Sequence, residues 1–387
     1  RLTRRHFLIG CGSLLGSALV AACAKPQVVE KEVTRVVEKA VKETVVVEKA
    51  VKETVVVEKL VKQTVVTVRE VQVTPEPTPS AYHESPILAE KVKAGELPPV
   101  DARLPEDPLV LRPNPAVGEA IGKYGGTLNA LEDTPSVHAH SDEGDAWMGE
   151  GVGTWDLVEK RYVPNVATWW ELSEDYKTLK IRLRKGMRWS DGAPFTTDDV
   201  RFWWEDITLN EELTPKVPSM YAPKDQVATL VIEDEVSFRF EYVEPNPGAV
   251  DRLFQMQPWA PKHYLKKWHI KYNPQANEVA KDEGYGEWWE AFVAHQDRAI
   301  QTVSGLPMLA VYIQDWVDET GTKHFVRNPY YWKVDTEGNQ LPYIDYYQRN
   351  LVGSKEILVA KAVAGEHNFG GAWASLENYS LLKENEE

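Results

Sequence analysis

Apolar and polar positions alternate most sharply at 178–184. Leu179, Ile181 and Leu183 face one way, and Lys180, Arg182 and Arg184 face the other. That period of two predicts a half-exposed strand. A second strand is predicted in KYGGTLNALE, 123–132, where a Gly-Gly turn leads into Thr127, Leu128, Asn129, Ala130 and Leu131. Ser190-Asp191-Gly192 reads as a turn. Thr196 then stands as N-cap with Asp199 three residues on, a capping box that opens a helix through about Leu209. The Pro-rich stretch 81–122 is weakly patterned and reads as an extended arm with a short helix near Ile87–Lys93. Upstream, VEKAVKETVV, VEKAVKETVV and VEKLVKQTVV repeat with a period of ten at 37–66. As a strand, that period keeps Val37, Val41 and Val45 on one face. As a helix, Glu38–Lys42, Glu48–Lys52 and Glu58–Lys62 form favourable i,i+4 pairs, the reading we prefer. In neither form does the repeat bury a core. VTPEPTPS at 73–80 ends it stiffly, so a tether is expected, with an oligomerising coiled coil as the rival.

The N-terminus is patterned differently. Arg1, Arg4 and Arg5 precede an apolar run from Phe7 to Ala22, the layout of an export signal. The Arg4-Arg5 pair, with Phe7-Leu8 after it, resembles a twin-arginine signal. The run closes on Val20-Ala21-Ala22-Cys23, which resembles a bacterial lipobox. That pattern implies a diacylglycerol on the Cys23 thiol and cleavage before it, and two acyl chains anchor stably where one does not. An uncleaved membrane anchor is the alternative, although the run sits at the lower limit for spanning a bilayer.

The chain has two cysteines, Cys11 and Cys23. Without the signal, one remains, which excludes an internal disulfide and cysteine-ligated metal. The net charge is −15, and residues 81–387 alone carry −19. So acidic a region is unsuited to nucleic acid or anionic lipid. Any membrane attachment is expected through the lipid.

LRKGMRWSDGAPFTTDDVRFWW resembles the signature of the family 5 extracellular solute-binding proteins, the peptide, nickel and oligosaccharide receptors of ABC importers. YGGTL, VPNVATWWELSEDYKTLKIRLRKG, IEDEVSFRFEYVEPNPGAVDRLF, WAPKHYLKKW and VRNPYYWKVDTEGNQLPYIDYY resemble further blocks of that family, in order. The resemblance implies a mixed α/β fold, the first lobe of a type II (cluster C-like) periplasmic binding protein. Its domains would be signal 1–23, tether 24–80, arm 81–122 and solute-binding lobe 123–387, with an inserted subdomain at about 155–290. A second lobe is expected beyond this sequence. The resemblance also implies no enzyme activity and no cofactor. It implies an exported protein, lipid-anchored at the outer face of the cytoplasmic membrane or in the periplasm, which closes two lobes on a peptide or oligosaccharide and passes it to a permease. One departure lies at Ser304-Gly305-Leu306-Pro307-Met308, which keeps only part of the family's hinge segment.

No nucleophile elbow, phosphate loop or Cys/His metal spacing is present. The rival to a receptor is a Trp-rich cell-surface hydrolase or adhesion protein, since all 14 tryptophans follow residue 146. Trp147, just before GEGVGTW, and Trp155, its last residue, are ligand candidates, because this segment resembles the family's cleft-lining loop. In the pairs Trp169-Trp170, Trp203-Trp204 and Trp288-Trp289, one member of each is expected in the core. His138, in the polar run HAHSDEGD, is a cleft-rim candidate rather than a metal ligand, since it follows a strand end where ligands gather. Asp133 is a candidate for receiving a ligand cation. The adjacent pairs Glu132-Asp133 and Glu205-Asp206 do not face each other as glycosidase carboxylates must.

Overall fold

The computed structural model describes residues 80–133, 150–156, 159–253, 256–296, 305–370 and 376–385. All of these belong to one compact unit, Thr74–Glu387. Arg4, Arg5, Cys23, the ten-residue repeats, His138 and Trp147 lie outside the described residues.

The strands are β1 (Leu109–Leu111), β2 (Thr127–Glu132), β3 (Gly153–Asp156), β4 (Arg161–Pro164), β5 (Ala167–Leu172) and β6 (Thr178–Leu183). They continue with β7 (Thr229–Ile232), β8 (Ser237–Glu241), β9 (Tyr312–Val317), β10 (Lys323–Arg327), β11 (Lys333–Asp335) and β12 (Tyr346–Leu351). Two four-stranded sheets result, ordered β5-β6-β8-β7 and β2-β12-β10-β9, with two-stranded ribbons β3-β4 and β1-β11.

The first sheet is antiparallel throughout. Its strands alternate, so one face carries Leu179, Ile181, Leu183, Phe238 and Phe240, all buried, and the other is polar. The expected strand at 178–184 is therefore β6. Arg184 departs from it: it lies one residue past the strand end and is buried rather than exposed. Its Nε donates to the Asn165 carbonyl at 2.7 Å and its Nη1 to the Asp107 carbonyl at 2.9 Å.

The second sheet is mixed. β2 pairs in parallel with β12 over six residues, Thr127↔Tyr346 to Glu132↔Leu351. β12, β10 and β9 pair antiparallel. Its inward side chains include Ala130, Tyr312, Phe325 and Tyr347. The inner faces of both sheets meet in one hydrophobic cluster that also holds Trp189, Trp259 and Trp332.

The segment before β2 is fixed by pairing. α1 (Pro86–Lys93) starts on Pro86, the position where a missing N–H does no harm, and α2 (Val100–Arg103) follows. β1 runs parallel to β11. Arg103 is fully buried and donates to Gln340 Oε1 at 3.0 Å, to the Pro329 carbonyl and to Glu84. Gly338 has φ +81°, and a Cβ there would meet the Ala81 carbonyl oxygen at 2.4 Å, so this close approach requires glycine.

A helical layer has its own core. α3 (Thr197–Phe202) continues as a π turn, Trp203–Thr208. α4 (Lys262–Leu265), α5 (Ala276–Asp282) and α6 (Trp288–Gln296) pack Leu265, Trp268, Trp288 and Phe292 against Phe202 and Ile207. Two of the three tryptophan pairs divide as expected, whereas Trp203 packs on both hydrophobic clusters beside Trp204. Trp204 and Trp288 are buried, Trp170 packs on the main cluster, and Trp169 and Trp289 are exposed. α7 (Lys355–Val363), capped by Ser354 Oγ accepting from the Ile357 amide, follows β12.

Candidate functional site

The parallel pair β2–β12 sets a direction, and ligands of open α/β sheets gather beyond the carboxyl ends of such strands. Glu132 is the last residue of β2, and its side chain turns inward and is buried. β10 runs the other way, so its first residue, Lys323, arrives at the same end, opposite Arg349 of β12. The Glu132 carboxylate pairs with Arg349 Nη2 at 2.7 Å and with Lys323 Nζ at 3.5 Å. Thr322, just before β10, is buried as well.

Burial pushes the Glu132 carboxyl above the ordinary carboxylate range, against the pull of Arg349 and Lys323. Burial likewise lowers the Lys323 ammonium, against the pull of Glu132. One carboxylate thus faces two cations in a partly dry setting. Such a group holds and orients polar ligand atoms by charge-assisted hydrogen bonds.

Asp133 stands next to Glu132, exposed, just after the strand. Trp155 lies elsewhere, on the β3-β4 ribbon, 47% exposed, with its ring edge-on to Tyr162 at 5.0 Å. The two candidates therefore sit on separate sheets. Lys323 and Arg349 were not singled out in the sequence, yet a signal was there. In KHFVR and YYQRNL, a cation occupies the same parity as the buried Phe325 or Tyr347, where an apolar residue belongs.

The block around Ser190 builds a support. Asp199 is buried, and its Oδ2 accepts from the Thr196 amide and from Trp189 Nε1, both at 3.1 Å, while its Oδ1 accepts from the Lys262 amide at 3.2 Å. Burial, despite these donors, pushes its carboxyl up to about 6. His263 Nε2 lies 2.7 Å from Asp191 Oδ2. Ser190 exchanges two hydrogen bonds with Met308: its amide donates to the Met308 carbonyl at 3.1 Å, and its Oγ accepts from the Met308 amide at 3.0 Å. The turn is thereby tied to the Gly305–Met308 segment.

Residues 161–386 match the model of the bacterial extracellular solute-binding proteins, family 5 (middle region). The chain belongs to this family. It shares 30% identity over 305 residues with the periplasmic alpha-galactoside-binding protein of Rhizobium meliloti, covering 73% of this chain and 41% of the relative. Among solved structures it is similar to an oligopeptide-binding protein OppA, with TM-score 0.70 and 35% identity, covering 79% of this chain and 47% of the other. It is also similar to the periplasmic binding protein MelB of Agrobacterium fabrum C58 in complex with stachyose, with TM-score 0.61 and 28% identity, covering 76% and 44%. This family 5 chain therefore has the mixed α/β fold of periplasmic binding proteins, and spans less than half the length of each of these three. These relatives are named as binding proteins, for alpha-galactosides or oligopeptides, and MelB is in complex with stachyose.

Proposed function

We propose that this protein is the lipid-anchored, extracellular receptor of an ABC importer, which closes on a peptide or oligosaccharide-like solute and delivers it to a permease. The observation that carries this reading is the likeness to OppA at 35% identity and TM-score 0.70. The inward-facing Glu132–Arg349–Lys323 group supports it by placing buried, hydrogen-bonding charge where such sheets meet ligand. Asp133, Trp155 and, from the sequence alone, His138 and Trp147 are proposed as cleft residues. Binding requires no covalent step, so turnover is not expected.

The test is mass spectrometry of protein extracted from membranes in detergent and then denatured. Release of peptides or of oligosaccharides is expected and names the class. Steady product formation from either, dependent on Glu132 or Asp133, overturns the reading in favour of a hydrolase.

A further inference from the structure

The polar face of β5-β6-β8-β7 carries an open depression of about 530 Å³ on the opposite side of its sheet from the buried core. Thr168, Trp169, Lys180, Arg182, Glu233 and Ser237 line it. Trp169 is 47% exposed there, a large apolar ring left in water on an otherwise charged face.

The charges around it are unevenly satisfied. Arg239 is held between Glu233 and Glu241, at 2.7 and 2.8 Å. The Asp234 carboxylate is occupied by the amides of Val236 and Ser237, at 2.8 and 2.7 Å. Among the described residues, neither Lys180 nor Arg182 has a carboxylate within 4 Å. Arg182 lies near enough to Asp234 to help lower its carboxyl, yet neither cation is locked in a close ion pair, and both stand beside an exposed indole in a region of net charge −19. Elsewhere the field of such a surface repels an anion, so an anion is held only where cations stand uncompensated.

We propose that this depression is a second binding site, separate from the ligand cleft, for an acidic sugar. The Trp169 ring stacks on the C–H face of a pyranose, which buries apolar area without asking for a hydrogen bond. Arg182 takes the sugar carboxylate in a forked pair and Lys180 adds a point charge. The ring hydroxyls meet directional partners: the Glu233 carboxylate accepts, and the Thr168 oxygen, whose own proton goes to the Arg182 carbonyl at 3.3 Å, accepts on its remaining lone pairs. A plain aromatic acid uses the ring and the cations and leaves those acceptors unused.

The test is titration of the ¹⁵N-labelled full chain with galacturonate, galactose and benzoate, read on the indole N–H signals. Trp169→Ala identifies the Trp169 signal by its loss, and its exposure makes the variant harmless to the fold. With galacturonate, that signal is expected to move saturably, with a dissociation constant on the order of 1 mM. Arg182→Gln, or raising salt from about 0.05 to about 0.5 M, should weaken the effect at least about fivefold. Galactose moving the signal equally well, benzoate binding as tightly as galacturonate, or no movement of this signal each overturns the proposal. None of these outcomes bears on the transport-receptor reading, which rests on the likeness to family relatives and on the Glu132–Arg349–Lys323 group of the other sheet.

Discussion

Asp199 shows how a single side chain serves several partners. It caps α3, holds the Trp189 indole and receives the Lys262 amide, and it does so while buried. Because its folded-state carboxyl is raised to about 6, folding takes up a proton between about pH 4 and 6. Its contribution to stability therefore falls as the pH rises through that window. Asp199→Asn is expected to flatten this part of a stability–pH curve measured by urea unfolding. Thr196→Ala removes the other half of the box and should lower stability by about 1 kcal/mol at any pH. Both roles are legible in TTDD before an apolar run, because a capping box is local. Arg184 was misread because burial at a strand end depends on which distant carbonyls arrive, here those of Asn165 and Asp107. The inward cations Lys323 and Arg349 are legible by parity once their strands are known, but their meeting with Glu132 depends on a pairing far apart in the chain.

At the level of elements, β6 was predicted correctly because alternation acts within a few residues, and the short helix expected near Ile87–Lys93 is α1, which starts on Pro86. The helix from Thr196 does run to the region of Leu209, yet its second half winds as a π turn, with the Leu209 amide reaching the Trp204 carbonyl. Propensity does not distinguish that from an α turn. The Pro-rich 81–122 region gave little pattern, and what holds it is tertiary: β1 on β11, His83 against Asn339, and Arg103 in a buried socket. Arg103→Met should therefore act on this segment first. Losing the arginine strands Glu84 and the Gln340 oxygen, and a buried pair broken on one side costs about 3–5 kcal/mol. Limited proteolysis should then cut between about residues 80 and 110 well before the sheets, whereas the unaltered chain resists there.

For the molecule as a whole, the ordered motif blocks carried the fold and family in advance, and the solved relatives agree with them. Attachment to the membrane is a proposal drawn from the sequence alone. If Cys23 is acylated, Cys23→Ser should move the protein from the membrane pellet to the soluble fraction, with loss of a diacylglycerol-sized mass. Retention of the variant in the pellet would point to the apolar run Phe7–Ala22 as the anchor instead.

The parallel pairing of β2 with β12 also has a consequence in time. β2 leaves the ribosome more than two hundred residues before the strand that completes its sheet. At about 5–20 residues per second, that is a delay of roughly 10–40 s. Meanwhile β5, β6, β7 and β8, which lie close together in sequence, have every partner they need. The antiparallel sheet should thus be formed while β2 is still single. That interval is when the strand is open to chaperones or to wrong pairing, and slowing synthesis between residues 242 and 345 should lengthen it in proportion.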